Sequence, residues 1–463
     1  MPVTPAFVAA LGDAEIIREP SLVRKRSRDF FWYSPILNEA LKAKFAEIVA
    51  RPATRDQLAR CLAAAYDHDV PVTLRGGGTG NYGQAVPLDG GMVIDMTALN
   101  RIEEIGPGFI RAEGGANMLA MNRALEAGGQ ELAVFPSTQD IATIAGFVAG
   151  GSGGIGSLAH GMLRDNGNLI ALEALSVESP ARLHRFEGAE ALHLHHAWGL
   201  NGAIVSATVR AVPLRNWLGC IAGFPDYRAA YAAGLAVAQD QALGAKLVST
   251  VDARIAAYFP RLAGHVPQGA HLMVAMVPAS ARAALADIAL RHDGALHLAL
   301  SEAERTAARL PHVYEFSYNH TTLQVLKSDR GVTYQQIGVP DATDIAAVAA
   351  IGDTVGEDVW RHHEFARVGG KLVAFDLPVI RWRGPEALEA INAAYAAAGF
   401  TVWDAHQFWV EGSLKQADYV HLAWKKRLDP KGLLNSGKSR FWSGVRDLPP
   451  EAIESLAVSG GAS

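Results

Sequence analysis

Glycine is concentrated in three stretches of this chain, at residues 76–91, 106–115 and 146–167. Four of the five positions from 76 to 80 are glycine, which is denser than an ordinary turn requires. A residue without Cβ lets the backbone approach a partner closely, and consecutive amide N–H groups can form an anion-binding nest. The pattern therefore predicts a fold built on close backbone contacts around a buried anionic ligand.

The composition is that of a globular protein with no obvious polyanionic partner. Hydrophobic residues make up 49% and charged residues 19%, and 42 Lys and Arg against 47 Asp and Glu give a net charge of −5. This balance provides no attraction for nucleic acid. Two cysteines are too few for a disulfide framework, which favours a reducing compartment. No basic leader or run of about 18 apolar residues is visible, so we expect a soluble, cytoplasmic protein without membrane insertion.

Helical and strand-like patterns alternate along the chain, which predicts an α+β fold. Residues 38–50 and 54–68 are predicted to form helices, with short strands following. The order of predicted strands and helices over residues 217–292 indicates a ferredoxin-like α/β sheet. Residues 371–410 are predicted to form a second such unit. The predicted parts are an N-terminal segment at 1–37, an α+β domain at 38–215, a second domain at 216–412 and a C-terminal segment at 413–463.

Three short motifs match the phosphate-binding loops of other folds, but their contexts differ. The G-x-G-x-x-G at 78–83 precedes a turn and a strand rather than the helix of a Rossmann fold. The one at 151–156 follows a predicted helix. Residues 432–439 match a Walker A motif, yet they also follow a helix and leave too little chain for an α/β domain. We therefore expect neither a Rossmann dinucleotide site nor an NTPase.

Read in order, the motifs fit one known pattern. The chain resembles the vanillyl-alcohol-oxidase/PCMH-type FAD-binding family of FAD-linked oxidases over roughly residues 38–215, with a closing motif at 429–438. The segments that carry the resemblance are 72–81, 95–102, 113–115, 135–138, 142–146, 150–157, 201–205 and 429–438.

The resemblance implies an extended FAD between two α+β subdomains, with residues 216–412 as a substrate or cap domain. Glycine-loop amides would bind the pyrophosphate, and the remaining positions would line the opposite wall, the flavin edge and the adenine. The residues implied to bind FAD are Arg75, Gly76, Gly77, Gly78, Thr79, Gly80, Asn81, Pro136, Ser137, Thr138, Thr143, Gly146, Ser152, Gly153, Gly154, Gly156, Ser157, Gly161, Ile204, Asn435 and Lys438.

The implied chemistry is hydride transfer from an alcohol, hydroxy acid or related C–H donor to flavin N5, with a protein base removing a proton. His320 is the first candidate base, with Tyr318 one strand period away and Lys327 available to neutralise an anion. His406, on a segment of alternating pattern at 404–411, is the second. A structural role for either histidine stays open.

Other histidine-rich segments are weaker candidates. Residues 361–364 (Arg-His-His-Glu) are predicted to form a solvent-facing helix. His193, His195 and His196 suggest a metal, but we expect none because the His-x-Gly-Asp-Gly-Asn-type signature of metal-assisted relatives is absent. That absence also disfavours lactate- or hydroxyglutarate-type substrates.

Two alternatives to an oxidase or dehydrogenase stay open. One is a non-oxidative FAD enzyme resembling the ether-lipid synthases, and the other is a flavin-binding electron-transfer subunit without a substrate of its own. The electron acceptor, oxygen or a redox partner, is not specified by the sequence, and a homodimer is possible.

We predict that the flavin is bound non-covalently, because the segment 76–84 contains no histidine and the second glycine tract no cysteine. Acid precipitation of the purified protein should leave the yellow colour in the supernatant, measured by absorbance. A yellow pellet would contradict this prediction.

Overall fold

The computed structural model describes residues 3–151, 153–165, 167–411 and 417–459. The chain divides into two compact units. The first comprises residues 1–152, 167–213 and 406–463, and the second 153–166 and 214–405. The domain borders expected from the sequence stay a prediction, because a division by contacts does not establish which parts fold independently. Among the described residues, no helix has the length and apolar character needed to cross a lipid bilayer.

The first unit begins with a four-stranded sheet whose spatial order is β1-β2-β4-β3. β2 and β3 both pair with β4 in parallel, so their carboxyl ends meet at one edge, where the first glycine loop follows β3. The strands are β1 (Glu15–Ile17), β2 (Ile48–Arg51), β3 (Val72–Arg75) and β4 (Met92–Asp95).

The predicted helix at 38–50 is wrong in its second half. A helix ends at Leu41, and Ile48–Arg51 is a strand in the middle of the sheet. Ile48, Val49 and Ala50 are all buried, because Ile48 and Ala50 pack into one apolar cluster and Val49 packs into another. A short run buried on both faces carries no alternation that distinguishes it from a buried helix.

The first unit contains a second, antiparallel sheet of order β5-β6-β10-β8-β9, with β7 also paired to β10. These strands are β5 (Ile102–Gly106), β6 (Phe109–Glu113), β7 (Gln130–Leu132), β8 (Leu169–Leu175), β9 (Leu183–Glu187) and β10 (Ala203–Pro213). The helices of this unit are α1 (Pro5–Ala10), α2 (Pro20–Arg26), α3 (Pro35–Leu41), α4 (Arg55–Asp67), α5 (Met118–Glu126), α6 (Ile144–Gly150), α15 (Tyr419–Leu428), α16 (Trp442–Val445) and α17 (Pro450–Ser459), numbered along the whole chain.

The second unit contains an eight-stranded sheet of order β14-β11-β13-β12-β18-β19-β16-β21. Its strands are β11 (Trp217–Phe224), β12 (Leu247–Val251), β13 (His271–Pro278), β14 (Ala295–Leu300), β16 (Gln336–Gly338), β18 (His362–Val368), β19 (Lys371–Asp376) and β21 (Thr401–Trp403). A small sheet of order β15-β20-β17 joins β15 (Val332–Tyr334), β17 (Val359–Trp360) and β20 (Val379–Arg381). The helices are α7 (Ser157–His160), α8 (Tyr227–Gln239), α9 (Ala253–Ala256), α10 (Arg282–Arg291), α11 (Glu302–Ala307), α12 (His320–Leu326), α13 (Ile345–Val355) and α14 (Pro385–Ala397).

This large sheet consists of two βαββαβ units with the ferredoxin-like strand order. The first is β11-α8-β12-β13-α10-β14 and the second is β16-α13-β18-β19-α14-β21. Their second strands, β12 and β18, pair antiparallel and join the two units. The predicted α+β class and ferredoxin-like sheet are confirmed, but the second unit begins at β16, before the predicted residue 371.

Three local predictions are wrong. Residues 361–364 are not a solvent-facing helix, because β18 lies in the middle of the sheet and His362, His363 and Glu364 are buried. Tyr318 and His320 do not share a strand, since a 3₁₀ turn at Val313–Phe316 precedes a helix that begins at His320. The described residues of 404–411 also form no strand.

Candidate functional site

The first glycine loop presents a row of amide groups with no protein acceptor. In the described part of the chain, the amide N–H groups of Gly76 through Asn81 donate no hydrogen bond. The loop's carbonyl groups are engaged instead, since Gly80 accepts from the amide of Phe30 at 2.7 Å. The Arg75 guanidinium donates to the carbonyl groups of Gly76 at 2.9 Å and Gly77 at 3.3 Å. With its carbonyls bound, the loop leaves its donors to an anion, as a nest requires.

Arg75 is itself held by buried carboxylates. Burial lowers the pKa of Arg75, and nearby Arg26 lowers it further, while the charges of Asp95 and Asp29 oppose this effect. Asp95 is buried at the end of β4, where it accepts from the Thr97 amide at 3.0 Å and pairs with Arg26 at 2.9 Å. The charges around Arg75 therefore come from Asp95 on β4, from Arg26 at the end of the helix Pro20–Arg26 and from Asp29 shortly after it.

A second segment, residues 139–143, packs directly against the loop. A Cβ added to Gly76 would overlap the Thr143 hydroxyl, and one on Gly77 would overlap the Ile141 carbonyl. Asn117 holds this segment, because its amide nitrogen reaches the carbonyl groups of Gln139 at 3.1 Å and Asp140 at 3.0 Å. Glycine at 76 and 77 is thus required by protein contacts as well as by any ligand.

The other wall residues predicted from the sequence lie in the same unit. The carbonyl of Thr138 accepts from the amides of Ile141 and Ala142. Thr143 caps α6 by accepting from the amide of Gly146 at 3.4 Å. Ile204 is buried on β10, and its carbonyl occupies the space that a Cβ on Gly114 would need.

A buried ion pair lies at the start of the closing motif, and a backbone bridge links the motif to β3. Lys425 and Asp429 lie 2.7 Å apart, and Asp429 also accepts from the amides of Leu433 and Leu434 at 2.9 and 2.8 Å. Leu434 bridges Val72, so the motif extends the edge of the first sheet. This brings residues 435–438 next to the glycine loop.

Asn435 and Lys438 complete that edge. The Asn435 amide nitrogen donates to the carbonyl groups of Gln84 at 3.0 Å and of Trp198. Lys438 is fully buried and donates to the carbonyl of Gly83. Burial lowers the pKa of Lys438 to about 7, against the opposing charges of Asp29 and Asp89. Lys438 is bound to a backbone carbonyl, whereas the lysine of a Walker A motif contacts the phosphates of a nucleotide.

The second glycine tract belongs to the second unit, except Ser152, which lies outside the described residues. Gly154 donates to the Ser157 hydroxyl at 3.0 Å, and Gly156 donates to the carbonyl of Lys246 at 3.0 Å. Gly161 ends α7, with its amide on the Ser157 carbonyl at 3.2 Å. A Cβ on Gly153 would come within 3.0 Å of the Met162 methyl group.

Three of the catalytic candidates, Tyr318, His320 and Lys327, lie in the second unit and the fourth, His406, in the first. His320 is 7% exposed, and its Nδ1 lies 3.2 Å from a carboxylate oxygen of Glu315. Burial raises the pKa of Glu315, but the hydrogen bond and charge of His320 outweigh it and lower the value. Lys327 is exposed and donates to Gln324 at 3.1 Å. His406 is buried, with Nδ1 2.7 Å from the Ser34 hydroxyl.

Tyr318 is held at three points. Its amide donates to Glu364 at 2.6 Å, its carbonyl accepts from Thr321 at 2.8 Å, and its hydroxyl donates to the carbonyl of Gly154 at 2.7 Å. Burial, and then the charge of Glu364, raise the pKa of Tyr318 well above its usual value. The phenol is therefore a hydrogen-bond donor rather than a base at ordinary pH.

The predicted metal candidates do not converge. The His193 ring stacks on Trp424 at 5.0 Å, whereas the His196 amide donates to the carbonyl of Val148 at 3.0 Å. Within the described ranges, no group of three or more His, Cys, Asp or Glu side chains is arranged to hold a metal ion. The expectation of no metal stays a prediction.

Glu315 and Asn117 were not predicted from the sequence, and Glu364 was predicted only as part of a solvent-facing helix. Glu315 precedes the candidates Tyr318 and His320 by a few residues. Asn117 caps α5, but its contacts with residues 139–142 depend on the tertiary fold.

The family match to this chain lies mostly in the first unit. Residues 46–175 match the model of a family described as an FAD binding domain. The glycolate oxidase subunit GlcD of Bacillus subtilis (strain 168) is 34% identical over 131 residues, which are 28% of this chain and 27% of that protein. The subunit of the same name from Escherichia coli (strain K12) is 30% identical over 180 residues, or 36% of this chain and 34% of that protein.

A D-lactate dehydrogenase of Archaeoglobus fulgidus is 26% identical over 174 residues, or 36% of this chain and 39% of that protein. The chain therefore matches only about a third of the length of these relatives.

Solved structures resemble nearly the whole chain. An alkyldihydroxyacetonephosphate synthase has a TM-score of 0.70 at 14% identity, covering 94% of this chain and 85% of its own. The glucooligosaccharide oxidase of Acremonium strictum has a TM-score of 0.63 at 13% identity, covering 92% and 97%. At such identities the likeness shows a shared fold.

Gly78→Ala tests the orientation of the loop amides. Gly78 has φ +66°, and an added Cβ would overlap the Arg75 guanidinium, displacing it from the carbonyl groups that it holds. We expect FAD affinity to fall by about tenfold or more, the equivalent of roughly one or two hydrogen bonds. Fluorescence titration of the apoprotein with FAD measures this.

Gly108→Ala is the matched control. Gly108 also has a positive φ, +81°, but nothing lies within 4 Å of its added Cβ. Both variants carry the same kind of backbone strain, so equal FAD affinities would show that the Arg75 contact does not orient the loop.

Proposed function

We propose that this chain is an FAD-dependent oxidoreductase of the PCMH-type FAD-linked oxidase family that acts on an alcohol or hydroxy acid, because residues 46–175 match a family described as an FAD binding domain. The observation that supports this most is the row of six amide groups, Gly76 to Asn81, without protein acceptors in the described part of the chain. When bound, FAD would supply the flavin that accepts a hydride.

The loop fits a diphosphate without a direct lysine contact. A buried anion needs many oriented donors, and the amides provide them while the half-buried Arg75 adds a nearby positive charge. Within the described ranges, the side-chain nitrogens of Asn81 and Trp198 are buried without a hydrogen-bond partner. Both are donors, as an acceptor-rich cofactor requires. We assign the pyrophosphate to residues 76–81 and propose that residues 136–146, Ile204 and Asn435 contribute to the same cofactor site.

We assign proton removal to His320. Nδ1 of His320 lies 3.2 Å from a carboxylate oxygen of Glu315, and this carboxylate would stabilise the imidazole ring when the other nitrogen, Nε2, takes up a proton. Tyr318 is protonated and donates to Gly154, so its role is positional. His406 remains the second candidate, and Lys327 at the exposed end of α12 is a candidate for contact with an anionic group.

The named relatives favour redox chemistry over the non-oxidative alternative. The curated proteins matching at 26–34% identity are an oxidase subunit and a dehydrogenase, whereas the alkyldihydroxyacetonephosphate synthase shares the fold at 14%. Glycolate and D-lactate are 2-hydroxy acids, so we include this class among the substrates proposed, although the sequence lacks the metal signature. GlcD is named a subunit, which makes a protein electron acceptor a reasonable partner to test beside oxygen.

Anaerobic bleaching of the bound flavin tests the function. We expect at least one compound in a panel of alcohols and 2-hydroxy acids to reduce the flavin of the purified holoprotein, followed by absorbance. A protein that binds no FAD would overturn the proposal, and so would a holoprotein that every member of the panel leaves oxidised.

His320→Ala tests the base. With the best substrate at saturation, flavin reduction should slow by about 10²–10⁴-fold, the usual contribution of a positioned general base. Rapid mixing under anaerobic conditions is needed because steady-state rates also report reoxidation.

His312→Ala is the matched control, since His312 forms a similar pair with Glu302 at 3.5 Å in the same unit but is more exposed. In His312→Ala, the flavin should be reduced at the same rate as in the parent protein. Equal rates for both variants would show that His320 is structural.

A further inference from the structure

Tyr318 has a backbone conformation that needs support. Its φ is +50°, in the left-handed region, where side chains with a Cβ are strained. Such a conformation persists only where the surroundings over-determine it, and it often marks a functional position. The strain here lies in the short connection between the 3₁₀ turn at 313–316 and α12.

The support comes from a buried carboxylate on β18. Glu364 is 1% exposed and accepts from the Tyr318 amide and from the Ser249 hydroxyl, both at 2.6 Å. His362, two residues earlier on the same face, places Nε2 2.8 Å from Glu364. A carboxyl group so far from water is costly unless it is hydrogen-bonded, and the Tyr318 amide and the Ser249 hydroxyl supply two hydrogen bonds here.

The same strand also holds the carbonyl side of Tyr318. Thr321 donates its hydroxyl to the Tyr318 carbonyl at 2.8 Å, and this hydroxyl lies 3.1 Å from Nδ1 of His362. Glu364 therefore holds the amide of Tyr318, and Thr321, which contacts His362, holds its carbonyl. With its backbone fixed, the residue directs its phenol to the carbonyl of Gly154 at 2.7 Å.

We propose that Glu364 is a positioning residue that acts through Tyr318 on the second glycine tract, Gly153–Gly161. The chain of contacts runs from β18 through the strained Tyr318 backbone and its hydroxyl to Gly154, whose amide in turn binds Ser157. The assignment of this tract to the flavin edge rests on the proposed function, but the mechanical connection does not. The helix Ser157–His160 of this tract also packs directly on β18, so the variants below must separate that packing from the contact made by Tyr318.

Hydrogen exchange of the apoprotein tests the connection without flavin or turnover. In Tyr318→Phe, the amides of residues 153–161 should exchange about fivefold faster, as expected for the loss of one hydrogen bond of typical strength. Tyr231→Phe is the matched control, since its buried hydroxyl donates to the carbonyl of Ala342 at 2.9 Å in the same unit. It should leave exchange in 153–161 unchanged.

Glu364 is tested with a conservative and a disruptive variant. Glu364→Gln keeps an acceptor for the Tyr318 amide, so exchange in 153–161 should stay near the parent rate. Glu364→Met removes that acceptor and should accelerate exchange in the tract to the same extent as Tyr318→Phe. A folded Glu364→Met protein that exchanges at the parent rate in 153–161 would overturn the proposal, and if this variant does not fold, faster exchange in Glu364→Gln, which keeps the acceptor, would overturn it.

Unchanged exchange in 153–161 in Tyr318→Phe would overturn the proposal, as would acceleration equal to that in Tyr231→Phe. In the holoprotein, Tyr318→Phe should also shift the flavin absorption maximum, whereas Tyr231→Phe should not. A protein that shows the exchange effect but binds no flavin would refute the proposed function and leave the positioning role of Glu364 intact.

Discussion

The first glycine loop depends on the contact between the Arg75 guanidinium and the carbonyl groups of Gly76 and Gly77. A peptide group has a donor on one side and an acceptor on the other, so fixing the carbonyls also fixes where the amides point. The guanidinium needs compensation for its burial, and Asp95 and Asp29 provide it. These carboxylates are held in turn by backbone amides at 97, 31 and 85. The chemistry of the loop is thus set by a few buried charges beneath it.

The sequence predicts those parts of the fold whose cause lies within one short segment of the chain. The glycine loop is recognisable because four glycines in five residues are typical of a backbone that must approach a ligand closely, and the closing motif because its residues follow a fixed order. The protein contacts that demand glycine at 76 and 77 are not recognisable, because the opposing atoms lie at 141 and 143, far along the chain. The requirement for glycine at these two positions is a property of the packed structure.

The second unit is harder to predict because its buried positions are polar. The sequence predicts that residues 361–364 face solvent, as charged and histidine side chains usually do. In the fold, Glu364 accepts from Ser249 and lies beside His362 inside a sheet, while Asp376 accepts from Tyr395 on a neighbouring helix. Burial raises the pKa of Asp376 to about 6, which shows how far from water this region lies. A hydrogen-bond network of this kind leaves no periodic pattern in the sequence.

The pairing of β12 with β18 has a consequence for how the protein can be divided. Each βαββαβ unit contributes its second strand to this seam, so neither unit has a natural boundary there. A fragment that ends after β14 would leave the backbone groups of β12 unsatisfied along one open edge. Open edges of this kind recruit strands from other molecules. Fragments of the second unit are therefore liable to aggregate, and a dissection of this chain is better made at the borders of that unit, near residues 214 and 405, than after β14.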